Sequence, residues 1–114
     1  MIERLEINER MSRIVKVNGT VYLGGVRGFG DTIEEQTRDC LSTIDQLLET
    51  AGTDRAHVVR VIIWLADREN FDAMNSVYNN WFSSEAKPSR ACTITEMAKE
   101  GMMLEMVATA VMPD

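Results

Sequence analysis

The sequence predicts an α+β domain in which one mixed β-sheet carries two helices on one face. A hairpin signal lies near the start of the chain, two segments follow with apolar residues at helical spacing, and a long apolar strand lies between them. The 114 residues contain no linker, repeat or low-complexity stretch. We therefore expect residues 1–114 to form a single domain.

The N-terminal elements are predicted as strands. Residues 3–7 alternate charged and apolar side chains, and residues 14–17 and 20–23 flank Asn18 and Gly19. An Asn-Gly pair favours a two-residue type I′ turn, because both central positions need positive φ. We expect a weak first strand and then a tight hairpin.

A helix is predicted after a loop that contains four glycines. Asp31 or Thr32 is the candidate N-cap, and Glu34 or Glu35 would complete a capping box. Gly52 is the expected C-terminal stop. The residues that recur at helical spacing, and should be buried, are Ile33, Thr37, Cys40, Leu41, Ile44, Leu47, Leu48 and Ala51.

The second half of the chain is predicted as a strand, a helix and two more strands. Residues 58–65 are apolar on both faces of a strand, a helix is expected over residues 69–82, and residues 90–95 and 103–112 form the last strands. Two helices cover only one face of a sheet. The apolar side chains on the other face therefore predict a symmetric homo-oligomer.

Composition excludes several classes of function. The 18 acidic and 12 basic residues give a formal charge of −6, which argues against nucleic-acid binding. His57 is the only histidine, so no metal site built on several imidazoles is expected. Cys40 and Cys92 form no C-x-x-C motif, and reduced thiols in a cytoplasmic protein are expected. No apolar run reaches the roughly 18 residues of a membrane span.

Arg90 and Glu105 are the candidate chemical groups. Arg90 could hold a carboxylate through two charge-assisted hydrogen bonds, and Glu105, an acid in an apolar strand, is a candidate general acid or base. Ion pairs without chemistry explain both residues equally well. If the last two strands formed a hairpin, Arg90 and Glu105 would be diagonal neighbours on one sheet face. Cys92 is interpreted as a small buried core residue rather than a nucleophile.

Several segments, in this order and spacing, resemble the RidA family of reactive intermediate deaminases, also called YjgF-like and formerly endoribonuclease L-PSP. The matching segments are Tyr22-Leu23-Gly24-Gly25, Leu41 to Gly52, Val58 to Leu65, Asn70 to Tyr78, Pro88-Ser89-Arg90-Ala91-Cys92, and Glu105 fifteen residues after the arginine. The resemblance implies a chorismate-mutase-like α+β fold and a homotrimer with sites in clefts between subunits.

The resemblance also implies an activity, that of a 2-iminobutanoate/2-iminopropanoate deaminase. Reactive 2-imino or 2-enamino acids would be hydrolysed to 2-oxo acids and ammonia without a metal or an organic cofactor. Arg90 would bind the substrate carboxylate, and Glu105 would position or activate water. Cys92 would line the pocket, and Asn75 would support it from the second helix.

The chain departs from the family pattern around this pocket. Met11 stands where active deaminases carry an aromatic residue, and Gly24-Gly25-Val26 replaces Ser-Gly-Gln. Two polar groups are therefore missing from the pocket of the substrate-binding positions Met11, Gly24 and Gly25, which leaves the substrate and the activity open. A non-catalytic trimer that binds a small carboxylate or regulates a partner is the alternative. The acidic charge and the absence of a suitably placed histidine argue against an endoribonuclease or translation inhibitor.

Overall fold

The computed structural model describes residues 1–114 and confirms a mixed sheet with two helices. The elements are β1 (Ile2–Ile7), β2 (Ser12–Val17), β3 (Thr20–Leu23), β4 (Val26–Arg27), α1 (Ile33–Ala51), β5 (Val58–Leu65), α2 (Phe71–Tyr78), β6 (Ser89–Ile94) and β7 (Leu104–Val111). The strand order is β1-β2-β3-β7-β5-β6, and β4 pairs with β7. Neither helix combines the length and the apolar character needed to cross a bilayer.

The predicted hairpin is confirmed. β2 and β3 are antiparallel, and Val17 pairs with Thr20 across the turn. Asn18 and Gly19 have φ values of 51° and 79°, as a type I′ turn requires. β1 extends this hairpin at the edge of the sheet, and most of its residues are exposed.

The boundaries of α1 agree with the capping signals. The Thr32 side chain accepts a hydrogen bond from the backbone N–H of Glu35 at 3.1 Å and contacts the Glu35 carboxylate in return. Gly52 ends the helix in the left-handed conformation, with φ 91°. The eight residues predicted to be buried in this helix are all buried.

Gln36 is a buried polar residue of α1 that the periodicity does not single out. Its side-chain amide donates to the backbone oxygens of Gly30 at 3.0 Å and Gly101 at 2.7 Å, and its oxygen accepts from the N–H of Met103 at 2.9 Å. One amide thus joins the glycine-containing loop to the segment that precedes β7. Both of these segments lead to residues of the candidate site.

We expect Gln36→Ala to lower the free energy of unfolding by about 2–4 kcal/mol, because it removes the three hydrogen bonds of a buried amide. Chemical denaturation followed by circular dichroism measures the change. Gln46→Ala is the matched control, since Gln46 lies on the exposed face of the same helix. A loss no larger than that of the control would show that water replaces these hydrogen bonds.

The second helix is shorter than predicted. α2 covers Phe71–Tyr78 rather than residues 69–82, and residues 68–70 form a separate 3-10 turn capped by the Asp67 side chain. Asn79 and Asn80 have low helix propensity and end α2 early. Phe82 nevertheless packs against Tyr78, with the ring centroids 5.3 Å apart, so the predicted apolar side of this segment persists beyond the helix.

The predicted hairpin between the last two strands is wrong. β6 is parallel to β5, and β7 is antiparallel to the other edge of β5, so β5 separates the two strands. The reason is the crossover: α2 carries the chain from the end of β5 back to its start, which makes the next strand parallel. β6 therefore forms an edge of the sheet.

The two faces of the sheet differ as the pattern predicts. On β7, Leu104, Met106 and Ala108 are buried against the helices, whereas Glu105 and Val107 are only half-buried on the opposite side. We call this opposite side the open face, because no element of the chain covers it. The predicted oligomer would supply that cover and stays a prediction.

Candidate active site

Arg90 lies on edge strand β6 and packs against α2. It pairs in register with Val61, which is buried beneath the helices, so the arginine side chain projects on the helix side of the sheet. Its Nη1 donates to Asn75 Oδ1 at 2.7 Å. Its guanidinium carbon lies 4.8 Å from the ring centroid of Tyr78 and 6.0 Å from that of Phe71. The guanidinium is thus held in position while the residue stays exposed.

The surroundings of Arg90 exclude one of its sequence interpretations, an ion pair within the chain. Arg90 takes part in none of the ion pairs of the chain, so an internal acid does not explain it. Asn75 uses one of the five guanidinium N–H groups, and its oxygen brings no net charge. The remaining donors can hold a planar anion such as a carboxylate.

Cys92 lines a cavity of about 430 Å³ with Arg68, Phe71, Asp72 and Ile94. The thiol is half-buried and not a full member of the core, because it lies on an edge strand beside the short α2. Burial raises the pKa of Cys92, and the positive charge of Arg90 offsets part of this rise. The thiol is therefore protonated at neutral pH, which argues against a role as nucleophile.

Glu105 lies on the open face, on the other side of the sheet from Arg90. It pairs in register with Trp64 of β5 and Arg27 of β4. Its carboxylate packs directly on Gly25, and a methyl group at position 25 would occupy the place of the Oε2 atom. Glu105 and Gly25 line a cavity of about 520 Å³, together with Trp64, Thr95, Glu96, Met97, Ala98 and Val107.

Met11 and Gly24 are neighbours of this second cavity along the chain. A side chain at position 24 would come within 2.9 Å of the Met11 sulfur, and the Gly24 N–H donates to the oxygen of Arg13 at 2.9 Å. Gly24 leads directly into Gly25, so the predicted binding positions on these loops adjoin Glu105 and not Arg90.

The predicted site residues therefore form two groups. The arginine half-site comprises Asn75, Arg90 and Cys92, and the glutamate half-site comprises Met11, Gly24, Gly25 and Glu105. The prediction that Arg90 and Glu105 are diagonal neighbours on one face is wrong, because they lie on opposite faces with β5 between their strands.

Three aromatic residues, none of them a predicted site residue, adjoin the two half-sites. Phe71 and Tyr78 lie on the apolar side of the second helix, and both lie beside the Arg90 guanidinium. Trp64 lies in an apolar strand and lines the glutamate half-site. The sequence feature that indicates the arginine half-site is an arginine in the strand that follows a helix with aromatic residues on one side.

No group of three His, Cys, Asp or Glu side chains lies close enough together to hold a metal ion. His57, the only histidine, is half-buried in a turn and pairs with Asp54, with 2.7 Å between Nδ1 and Oδ1. This hydrogen bond lowers the pKa of Asp54. Cys40 is fully buried, and burial raises its pKa to about 12. None of these residues contributes to either half-site.

The fold and the order of these residues match a known family model. The model described as Endoribonuclease L-PSP matches residues 1–112. The chain belongs to this family. The match confirms the resemblance to RidA and YjgF-like proteins, because similar relatives carry the RutC and YjgF family names.

Solved structures of relatives have nearly the same fold. A crystal structure of an uncharacterized protein from Pseudomonas aeruginosa is 36% identical with a TM-score of 0.95, covering 99% of this chain and 100% of that one. A YjgF family member from Neisseria meningitidis is 35% identical with a TM-score of 0.97, covering 100% and 97%. A goat (Capra hircus) protein named 2-iminobutanoate/2-iminopropanoate deaminase is 32% identical over 108 residues, 88% of this chain and 78% of its own.

Proposed function

We propose that this protein hydrolyses reactive 2-imino and 2-enamino acids to 2-oxo acids and ammonia, in clefts between copies of the chain. The observation that carries the proposal is the Arg90 guanidinium, held by Asn75 and Tyr78 with no internal carboxylate to neutralise it. The deaminase name of the goat relative supports this class of substrate.

In this proposal, Arg90 binds the carboxylate of the substrate and fixes the position of its carbon–nitrogen double bond. The Asn75 hydrogen bond and the Tyr78 ring restrict the guanidinium before the substrate arrives. Pre-ordering of this kind reduces the entropy that is lost on binding. The half-buried thiol of Cys92 forms an uncharged wall of the adjoining cavity.

Glu105 acts on the water. Its carboxylate takes a proton as the water oxygen bonds to C2 of the protonated imine, which gives a carbinolamine. Glu105 then returns this proton to the nitrogen, and its carboxylate takes the hydroxyl proton as ammonia leaves and the C2–O bond becomes a carbonyl. Imines of this kind hydrolyse unaided, so orientation and proton transfer are sufficient contributions. Gly25 matters because its missing side chain leaves room for this carboxylate.

The two half-sites face different surfaces of one chain, and a second copy can join them. The glutamate half-site lies on the open face with the apolar side chains of Trp64 and Val107, and the arginine half-site lies at the β6 edge. A cyclic trimer in which each arginine half-site meets the next copy's glutamate half-site would close with three equivalent clefts. We propose this assembly for a single domain formed by residues 1–114.

The pocket of the proposed enzyme is less polar than the family pattern implies. Met11 and Gly24 replace an aromatic residue and a serine, so fewer hydrogen bonds orient the substrate, whereas Val26, in place of a glutamine, is buried against the helices. We propose altered substrate preference rather than loss of the reaction, because Arg90 and Glu105 are retained. The two free thiols are consistent with a reducing compartment such as the cytoplasm.

The experiment that tests this function couples an amino-acid oxidase or threonine dehydratase to semicarbazide, which traps the released imine. The purified protein should reduce semicarbazone formation, because it hydrolyses the imine before it is trapped. Several amino acids are compared, with a reaction lacking the protein as the control. If the protein reduces semicarbazone formation with none of the amino acids, the deaminase proposal is contradicted.

The second candidate is a carboxylate-binding trimer without catalysis. The exposed, positioned Arg90 favours it as strongly as it favours the enzyme, and the replacement of an aromatic residue and a serine by Met11 and Gly24 favours it further. It predicts binding of a 2-oxo acid by titration calorimetry without any effect on imine trapping.

A further inference from the structure

We propose that Arg27 is a second anion-binding residue of the glutamate half-site and makes dicarboxylic 2-imino acids the preferred substrates. The inference rests on the proposed function for the reaction, but its statement about the ligand can be tested by binding alone. Arg27 lies in none of the segments that resemble the family and was not a predicted site residue.

Arg27 lies beside Glu105 on the open face. It occupies the two-residue strand β4, directly opposite Glu105 in the antiparallel ladder with β7. Its neighbour Val26 pairs with Met106, and both of these are buried against the helices. Because side chains alternate between the faces of a strand, Arg27 projects on the same face as Glu105.

Arg27 has no anionic partner despite this position. It takes part in none of the ion pairs of the chain, although opposite charges on facing strands commonly pair. The residue is half-buried, and its Nε–H is buried without a hydrogen-bond acceptor. A partly buried cation with an unsatisfied donor is unfavourable, so an anion from outside the chain would stabilise it.

The Arg27 guanidinium stacks on Phe29 and forms no ion pair with Glu105. The guanidinium carbon lies 4.2 Å from the centroid of the Phe29 ring. The Phe29 N–H donates to Asp39 Oδ2 at 2.8 Å, which fixes the loop to α1. Both charges therefore stay available: Glu105 for the water, and Arg27 for a ligand.

A second carboxylate is the ligand group that fits this arrangement. The cavity beside Glu105 also contains Glu96, and these two acids would repel a substrate with two negative charges. Arg27 lies outside this cavity, on the β4 side of Glu105, and offsets that repulsion for a substrate that extends past Glu105, while Arg90 of the neighbouring copy binds the carboxylate next to C2. A monocarboxylic substrate has no group for Arg27, and the cation then stays unpartnered.

Titration calorimetry with two product analogues tests the proposal. The probes are 2-oxopentanoate and 2-oxoglutarate, which share one chain length and differ in the terminal carboxylate. The affinity of the protein for 2-oxoglutarate should be at least about tenfold higher than its affinity for 2-oxopentanoate, as one charge-assisted contact implies. Arg27→Gln should abolish this preference by weakening 2-oxoglutarate binding far more than 2-oxopentanoate binding, whereas Arg27→Lys should keep part of the preference.

The matched control is Arg38→Gln, since Arg38 is an exposed arginine of α1 outside both half-sites. Equal affinity of the unmodified protein for both probes would overturn the proposal. So would a loss of assembly in Arg27→Gln by light scattering, because Arg27 would then pair with an acid of a second copy. Imine hydrolysis without a dicarboxylate preference would overturn this inference alone. A preference that depends on Arg27 without hydrolysis would overturn only the deaminase.

Discussion

Replacing Arg90 with alanine is expected to lower kcat/KM for 2-imino acids by about 100-fold or more, since two charge-assisted hydrogen bonds to the substrate are lost. The oligomeric state should not change, because Arg90 is exposed and forms no ion pair within the chain. Initial rates from the semicarbazide assay and light scattering measure the two quantities.

Two further variants sharpen this prediction. Arg90→Lys keeps the charge but loses the planar fork, so it should recover only part of the activity. Arg38→Ala removes a cation of the outer helix face and should have no effect. If Arg90→Ala dissociates the assembly, Arg90 pairs with an acid of a neighbouring copy, and its role is structural.

The turn, the helix caps and the buried helix positions could be predicted from the sequence, because each depends only on residues close together in the chain. The Asn18-Gly19 turn, the Thr32 cap and the Gly52 stop each require particular residues at particular backbone angles, and the structure contains all three. The eight buried positions of α1 follow from one period of 3.6 residues. Such features need no knowledge of what the chain packs against.

Strand pairing was not predicted correctly because it depends on residues far apart in the chain. The sequence places β6 next to β7 in order, and a hairpin is the shortest way to pair them. The structure inserts β5 between them, since a helical crossover makes β5 and β6 parallel. This one error moved Arg90 to the wrong face relative to Glu105.

The individual site residues were accessible to sequence reasoning, whereas their division into two half-sites was not. An arginine two residues after a proline and an acid in an apolar strand stand out in the sequence alone. Gln36 and Arg27 do not stand out, because their roles depend on which backbone groups and which strand lie opposite them. Polar residues inside apolar or glycine-containing segments are the sequence feature that would identify such residues.

Mixing two inactive variants should restore activity if each cleft takes Arg90 from one copy and Glu105 from the next. Arg90→Ala and Glu105→Gln are unfolded together in equal amounts and refolded. About a quarter of the clefts in a randomly assembled ring should then contain both native residues. The imine-trapping assay should show about a quarter of the unmodified rate, whereas each variant refolded alone stays inactive.

A second mixture tests the same arrangement by loss of activity rather than by recovery. The unmodified protein is refolded with an equal amount of the double variant Arg90→Ala/Glu105→Gln. Clefts shared between copies predict about a quarter of the activity, and sites contained within one copy predict about half. Because β5 separates the strands of Arg90 and Glu105 and their side chains lie on opposite faces, we expect the lower value. Half activity, with no recovery in the first mixture, would require both residues to reach one substrate from a single chain.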